Sequence, residues 1–285
     1  MWTALVQPEA LAAALGQPGL VVVDCRFDLA DTAKGERAWR EARIPGAHYA
    51  HLDRDLSQPS DDPRDGRHPW PSADAFATIL ARWGVTPGTQ VVAYDDAGGA
   101  IAARLWCLLR LHDHPRAAVL DGGWPRWRAE GCPVDTGSGP AAGTSAGAAQ
   151  ARSLQRAQVL DADAVQAHLD AGGLLLDARA APRFRGETEP LDRKAGHVPG
   201  AVNRPFASNL DADGRFKPPG DLAREFTALL DGRAPGSLVA MCGSGVTACH
   251  HLLAMAHAGL PVGRLYAGSW SGWIGDPRRP VATGD

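Results

Sequence analysis

The sequence predicts an α/β protein of two tandem domains, each with a mainly parallel central sheet flanked by helices. The chain has 285 residues, which is long for one domain and sufficient for two. Its two halves repeat the same short motifs in the same order. Within each half, short apolar runs alternate with helical stretches, a pattern typical of strands that are connected by helices into a parallel sheet.

The repeat is defined by four landmarks that recur at a nearly constant offset. They are an apolar run that ends in Asp, an Ile/Val-Pro-Gly-Ala turn, a second apolar run, and a Gly–Trp motif. The paired segments are 19–26 and 173–179, 44–47 and 198–201, 91–95 and 238–242, and 120–124 and 265–270. Four landmarks in one order indicate a duplicated domain.

The joint between the repeats is predicted from composition. Residues 137–151 are rich in Gly, Ser and Ala and carry no charge, as expected of a flexible linker. We therefore assign 1–136 to a first domain, 137–153 to the linker and 154–285 to a second domain.

The elements follow from periodicity and stop signals. A helix is predicted from Pro8 to Leu15, with Pro in its first turn, and another from Thr247 to Ala258, which ends before Gly259. Buried strands are predicted at 21–23, 91–94, 119–120, 174–176, 238–241 and 265–266. Ligands of such sheets bind beyond the carboxyl ends of the strands, where loops lead into helices.

Composition excludes several functions. A net charge of −3 and a pI near 6.4 argue against nucleic acid or an anionic membrane as a partner. No run of about 18 apolar residues is present, so no membrane span is expected. The start Met1-Trp2-Thr3-Ala4-Leu5 has no signal-peptide pattern, which favours a cytoplasmic location.

The cysteines point to thiol chemistry. The five residues lack metal-ligand spacing and form an odd set, so neither a metal site nor disulfides are expected. They are Cys25, Cys107, Cys132, Cys242 and Cys249.

Cys242 is the candidate nucleophile because of its setting. The segment Cys242-Gly243-Ser244-Gly245-Val246-Thr247 connects a predicted strand to a predicted helix. Its glycines allow successive N–H groups to form an anion cradle, and the helix adds its positive end. Both features favour a thiolate at this position. The alternative is a buried, inert cysteine beside a loop that needs glycine merely to turn.

The run at 242–248 resembles the active-site loop of 3-mercaptopyruvate sulfurtransferases in the rhodanese family. The related thiosulfate sulfurtransferases generally carry basic residues in this loop. Gly196-His197-Val198-Pro199-Gly200-Ala201 and Asp95, which stands where the first domain lacks a cysteine, extend the resemblance over essentially the whole chain. It implies two rhodanese-like domains, of which the first is catalytically inactive, with the site in the cleft between them.

The resemblance also implies substrate-binding residues. Arg183 and Arg193 correspond to the family's substrate arginines, whose forked donors suit a carboxylate. The loop residues that would line the substrate are Gly243, Gly245, Val246 and Thr247. Asp177 and Arg179 are interpreted as an ion pair that orders the loop. Arg185 is interpreted as a solvent-exposed surface residue.

A proton relay is implied in the same way. The family's Ser-His-Asp set corresponds here to Ser244, His68 and Asp55, and the latter two lie in the first repeat. The alternative is that the Pro- and Asp-rich segment around residues 53–71 is only a solvated connection.

The expected reaction is a double displacement. Cys242 takes sulfur from 3-mercaptopyruvate as a persulfide, pyruvate leaves, and thioredoxin, a small thiol or cyanide accepts the sulfur, with no cofactor or metal.

A first alternative is thiosulfate as donor, although residues 243–245 provide no cation. A cysteine-dependent phosphatase would end its loop in arginine, where Val246-Thr247-Ala248 stand. A non-catalytic rhodanese-like binding module would not need Cys242.

Overall fold

The computed structural model of the protein describes residues 1–140 and 156–285. The chain divides into two compact units. The first comprises Met1–Gln58, Pro71–Gln155 and Asp213–Arg215, and the second comprises Pro59–Trp70, Arg156–Ala212 and Phe216–Asp285. The segment Pro59–Trp70 therefore groups with the second unit, although it belongs to the first repeat by sequence. Most of the linker predicted at 137–153 lies outside the described residues.

The first unit contains one five-stranded parallel sheet in the order β1-β5-β4-β2-β3. Its strands are β1 (Leu5–Val6), β2 (Leu20–Asp24), β3 (His48–Tyr49), β4 (Gln90–Tyr94) and β5 (Ala117–Leu120). Its helices are α1 (Pro8–Ala14), α2 (Lys34–Glu41), α3 (Leu52–Asp55), α4 (Ala73–Arg82), α5 (Ala102–Leu111) and α6 (Gly123–Ala129).

The second unit repeats this topology with the strand order β6-β10-β9-β7-β8, again entirely parallel. Its strands are β6 (Val159–Leu160), β7 (Leu175–Asp177), β8 (Val202–Asn203), β9 (Val239–Met241) and β10 (Arg264–Tyr266). Its α-helices are α7 (Ala162–Asp170), α8 (Ala181–Phe184), α9 (Pro219–Leu230), α10 (Ala248–His257) and α11 (Ser269–Trp273). Short 3₁₀ helices lie at Pro63–Asp65, Arg156–Gln158, Phe206–Asn209 and Pro235–Ser237.

The central strands are mostly apolar, as is typical of a parallel sheet that is covered on both faces. In the first unit β2 pairs with β4 over five residues, and the apolar side chains of both strands enter the core. The corresponding core of the second unit is built on β7, β9 and β10 and includes the buried Trp270 and Trp273. The predicted α/β architecture of two parallel sheets is therefore confirmed.

Each sheet carries the same buried ion pair at the end of an equivalent strand, β2 in the first unit and β7 in the second. Arg26 binds Asp24 with contacts of 2.6–3.0 Å, and Arg179 binds Asp177 with contacts of 2.7–3.1 Å. Both guanidinium groups lie over a tryptophan ring, with a distance to the ring centroid of 4.7 Å in each unit. The repeat is thus one of side-chain geometry as well as of sequence.

Among the described residues, no helix combines the length and the apolar character required to cross a bilayer.

Candidate active site

The loop that carries Cys242 begins where β9 ends and leads into α10. Its first two residues are anchored by the start of α11. The Cys242 N–H donates to Oγ of Ser269 at 3.1 Å, and the Cys242 carbonyl accepts from the Trp270 N–H at 3.0 Å. The Gly243 carbonyl accepts from the Ser271 N–H at 2.9 Å. These bonds hold the buried Cys242 at the carboxyl end of the sheet, as the sequence predicts.

The rest of the loop leaves its backbone donors available. Within the described parts of the chain, the N–H groups of Gly243, Ser244, Val246 and Thr247 have no protein acceptor. Gly245 has a φ of +74°, and a Cβ there would lie 2.3 Å from the carbonyl oxygen of Ala267. Only glycine fits this turn. A curled loop with unpaired N–H groups is suited to hold an anion.

Ser244 contacts a histidine from a distant part of the sequence. Nδ1 of His68 lies 2.7 Å from Oγ of Ser244, and both side chains are buried. When Nε2 carries the ring proton, Nδ1 can accept the proton of the hydroxyl. The structure therefore brings together two of the three residues predicted to form a relay.

His68 reaches this position because the segment 59–70 belongs to the second unit and packs against the start of α11 there. A Cβ on Gly66 would lie 2.5 Å from the Gly268 carbonyl oxygen, so glycine allows the two chain segments to approach closely. The Arg67 N–H also donates to Oγ of Ser271 at 3.0 Å. This segment is thus fixed by specific contacts.

Asp55 lies in the first unit, at the end of α3, and its carboxylate is fully engaged there. One oxygen accepts from Nη2 of Arg82 at 2.6 Å, and the other accepts from the His51 N–H at 2.7 Å. The contribution of Asp55 to a relay remains a prediction from the resemblance.

Two guanidinium groups lie beside Gly243. Nη2 of Arg67 would be 3.5 Å, and both Nη atoms of Arg183 3.6 Å, from a Cβ placed on that glycine. Arg193 is engaged elsewhere, because its Nη2 donates to the Ile274 carbonyl. Of the two arginines predicted to bind substrate, only Arg183 lies beside the loop by these contacts. The second guanidinium group beside the loop belongs to Arg67, which was not predicted.

Two buried carboxylates hold these arginines. Glu189 accepts from Nε and Nη2 of Arg183 at 3.2 and 2.7 Å, and Asp192 contacts both Arg67 and Arg183. Burial raises the pKa of Asp192, although the charge of Arg67 opposes this. Burial would also raise the pKa of Glu189, but hydrogen bonds from Arg183 and from the N–H groups of Leu191 and Asp192 lower it overall.

The other cysteines lack a comparable setting. All five are free thiols. Burial, followed by the charges of Asp95, Asp24 and Asp55, raises the pKa of Cys25 and keeps it protonated. Cys249 donates to the Gly245 carbonyl oxygen at 3.4 Å. Within residues 1–140 and 156–285, no three His, Cys, Asp or Glu side chains converge to hold a metal ion.

Sequence analysis did not assign Arg67, Glu189, Asp192 or Ser269 to the site. Arg67 directly precedes His68, so the segment that supplied the relay candidate also contained this cation. Ser269 is the counterpart of Gly123 in the first repeat, and a serine in place of a second glycine is the signal that could have identified it.

Fold and loop together define the class of the protein. A family model for the rhodanese-like domain matches residues 7–130 and again 161–276. The chain belongs to the rhodanese family and contains two such domains.

Particular relatives cover nearly the whole chain. A protein of Pseudomonas aeruginosa named "Probable 3-mercaptopyruvate sulfurtransferase" is 52% identical over 284 residues, covering 99% of this chain and 98% of that protein. The thiosulfate sulfurtransferase of Bos taurus is 33% identical over 279 residues, covering 93% and 89%. The crystal structure of SseA, a 3-mercaptopyruvate sulfotransferase from Escherichia coli, superposes with a TM-score of 0.76 at 26% identity, covering 94% of this chain and 99% of that one.

Proposed function

We propose that this protein is a sulfurtransferase that takes sulfur from 3-mercaptopyruvate, carries it as a persulfide on Cys242 and passes it to a thiol. The observation that carries the proposal is the 2.7 Å contact between His68 and Ser244, two residues beyond the nucleophile in a loop with unpaired N–H groups. Such a pair can remove a proton from a donor that is itself a thiol. The near full-length similarity to the Pseudomonas aeruginosa protein supports the same donor.

The first half-reaction transfers the donor's sulfur. The Cys242 thiolate attacks this sulfur, a new S–S bond forms, and the bond between the donor's carbon and its sulfur breaks. The electron pair of that bond leaves on the enolate of pyruvate. The thiol proton of the donor passes to the Ser244–His68 pair, and protonation of the enolate gives pyruvate. The N–H groups of Gly243, Val246 and Thr247, in a loop turned by Gly245, stabilise the negative charge on the sulfur.

The second half-reaction returns the enzyme to its resting state. An acceptor thiolate, from reduced thioredoxin or a small thiol, attacks the outer sulfur and releases the Cys242 thiolate. Cyanide replaces the thiol in an assay and gives thiocyanate. No metal or organic cofactor enters either half-reaction.

Arg183 is proposed to bind the donor's carboxylate, since its guanidinium group lies beside Gly243. Arg193 is tied to the Ile274 carbonyl, and its role stays a prediction from the resemblance. Asp55 stays a prediction in the same sense.

Thiosulfate is the second candidate donor, and one observation favours it. The loop residues carry no cation, but Arg67 and Arg183 place two guanidinium groups beside Gly243. These groups supply positive charge that the loop sequence itself lacks, although Glu189 and Asp192 offset part of it.

One experiment decides between the donors. Pyruvate formation from 3-mercaptopyruvate and thiocyanate formation from thiosulfate are measured on one preparation, with cyanide as the common acceptor. We expect the higher kcat/KM with 3-mercaptopyruvate. A higher kcat/KM with thiosulfate would overturn the proposed donor and leave the persulfide chemistry intact.

A further inference from the structure

The two arginines beside Gly243 each keep a terminal nitrogen unpaired. Arg67 uses Nη1 to bind Asp192, and Arg183 uses Nε and Nη2 to bind Glu189 and Asp192. Nη2 of Arg67 and Nη1 of Arg183 have no acceptor among the residues that the structure describes. These are also atoms that lie 3.5 and 3.6 Å from the position of a Cβ on Gly243.

Asp192 sets the spacing of the two guanidinium groups. Its Oδ1 lies 2.5 Å from Nη1 of Arg67, and its Oδ2 lies 3.2 Å from Nη2 of Arg183. The carboxylate is buried, whereas the side chains of Arg67 and Arg183 are 29% and 18% exposed. One carboxylate therefore holds both arginines from behind and leaves their other ends accessible.

Nε of Arg67 is a further unpaired donor in this cluster. It is buried and has no hydrogen-bond partner among the described residues, which is costly for a charged donor. Nη2 of Arg67, which is unpaired on a partly exposed side chain, suits a ligand that arrives beside the loop.

The charges of the cluster favour one kind of ligand. Glu189 and Asp192 offset the charges of Arg67 and Arg183, so the cluster attracts an anion through directed hydrogen bonds more than through net charge. Two N–H donors on separate guanidinium groups match the two oxygens of a planar carboxylate. A compact dianion such as thiosulfate would find less compensating charge.

We infer that Arg67 is the second arginine that binds the donor's carboxylate, acting together with Arg183, and that it fixes the donor's sulfur next to Cys242. This inference rests on the proposed function, because it names a specificity-determining residue for that reaction. Arg193, the partner that the resemblance suggests, already donates to the Ile274 carbonyl.

The first test separates KM from kcat. Arg67→Ala is expected to raise the KM for 3-mercaptopyruvate by about 10- to 100-fold, the loss expected for a hydrogen bond to a charged group, with a smaller change in kcat. Arg67→Lys keeps the charge beside Asp192 but loses the fork, so it is expected to fall between Arg67→Ala and the wild type. Arg64→Ala is the matched control, because Arg64 is exposed in the same segment and pairs with Asp62.

The second test needs no turnover. Iodoacetate and iodoacetamide both alkylate Cys242, as the thiolate forms an S–C bond and iodide leaves with the electron pair, but only iodoacetate carries a carboxylate. The ratio of their alkylation rates is expected to fall about tenfold in Arg67→Ala and in Arg67→Lys to a lesser extent. It is expected to remain unchanged in Arg64→Ala.

The outcomes separate this inference from the proposed function. An unchanged KM and an unchanged alkylation ratio in folded Arg67→Ala and Arg67→Lys would overturn the role of Arg67, while wild-type turnover would still support the reaction. A rise in KM confined to Arg193→Ala would give the role to Arg193. If the wild type released no pyruvate from 3-mercaptopyruvate, the proposed function would fail, and the alkylation ratio would still decide whether Arg67 binds a carboxylate.

Discussion

The two units use the same strand-to-helix loop in opposite ways. At the end of β4 in the first unit stands Asp95, and its buried carboxylate accepts hydrogen bonds from the backbone of its own loop. One oxygen accepts from the N–H groups of Ala97 and Gly99 at 2.9 and 2.8 Å, and the other from those of Ile101 and Ala102, both at 2.8 Å. At the end of β9 in the second unit stands Cys242, and the N–H groups of Gly243, Ser244, Val246 and Thr247 in its loop have no such partner among the described residues.

The comparison shows what the loop does in this fold. In both units the backbone carbonyl of the first loop residue accepts from the backbone N–H of a tryptophan. Asp95 accepts from Trp124 at 2.8 Å, and Cys242 accepts from Trp270 at 3.0 Å. The two loops therefore share this anchor, and each copy has backbone donors that are suited to an anion. The first unit supplies the anion as its own Asp95 carboxylate, whereas in the second, under the proposed function, the same place is taken by the sulfur of Cys242.

A second difference lies behind the loops. Gly123 has a φ of +56°, and a Cβ there would lie 2.3 Å from the Asp95 carbonyl oxygen. Its counterpart Ser269 has a φ of +52° despite its side chain, and its Oγ accepts from the Cys242 N–H. The second unit thus keeps a strained serine where the first has glycine, which suggests that the hydroxyl positions the nucleophile.

The largest effect is expected from removing the nucleophile. Cys242→Ser should abolish both persulfide formation and turnover, because a serine hydroxyl cannot carry the sulfur. Intact-protein mass, measured after donor is added without acceptor, should rise by one sulfur atom in the wild type but not in Cys242→Ser. Cys249→Ser is the control and should load normally, since a hydroxyl can also donate to the Gly245 carbonyl. Sulfur found on Cys25 or Cys132 would give the role to another thiol.

The double variant Asp95→Cys with Cys242→Ser asks whether the loop alone makes a site. It places a thiol in the first loop, but His68, Ser244 and Arg183 belong to the second unit. We therefore expect no persulfide on this variant. Loading at position 95 would mean that the loop is sufficient and that the surrounding side chains only tune it.

The relay is expected to have the next largest effect. His68→Ala and Ser244→Ala should each lower kcat/KM for 3-mercaptopyruvate by ~10²–10⁴-fold. The double variant should be little worse than either single one, because groups that act as a unit are not additive. Turnover of thiosulfate should be largely spared, since this donor has no thiol proton. Equal losses with both donors would instead indicate that His68 only shapes the site.

Sequence alone predicted the repeat, the sheets and the position of Cys242 in a strand-to-helix loop, because these depend on local patterns. The apolar runs at 21–23 and 91–94 lie within β2 and β4. The helix predicted from Pro8 to Leu15 begins where α1 begins and ends one residue after it. The two-residue strands β1, β3, β6 and β8 are too short for a periodic pattern to reveal. The arginine pair could not be predicted, because Arg67 and Asp192 meet across 125 positions of sequence. That contact depends on how residues 59–70 pack.

Asp95 should matter to the stability of the first unit. Asp95→Ala leaves four N–H groups of its loop without their acceptor, and we expect a loss of about 2–4 kcal/mol in the free energy of unfolding. Asp95→Asn keeps one acceptor oxygen and should lose less. Asp96→Asn is the control. Partial burial and the charge of Asp95 raise the pKa of Asp96, so removing its charge should be neutral or slightly stabilising. Denaturant unfolding measures all three, and an Asp95→Ala value near that of Asp96→Asn would contradict this role.

The smallest effect is expected at Ser269, where two substitutions separate the hydrogen bond from the backbone strain. Ser269→Ala and Ser269→Gly both remove the acceptor of the buried Cys242 N–H, at a cost of about 1–2 kcal/mol. Glycine also relieves the positive φ, so Ser269→Gly should recover about 1 kcal/mol relative to Ser269→Ala. Urea unfolding gives this order, whereas the rate of persulfide formation on Cys242 should fall equally in both variants because both lose the same contact. If Ser269→Gly were the less stable of the two, the left-handed backbone would carry no strain, and the difference from Gly123 would rest on the hydroxyl alone.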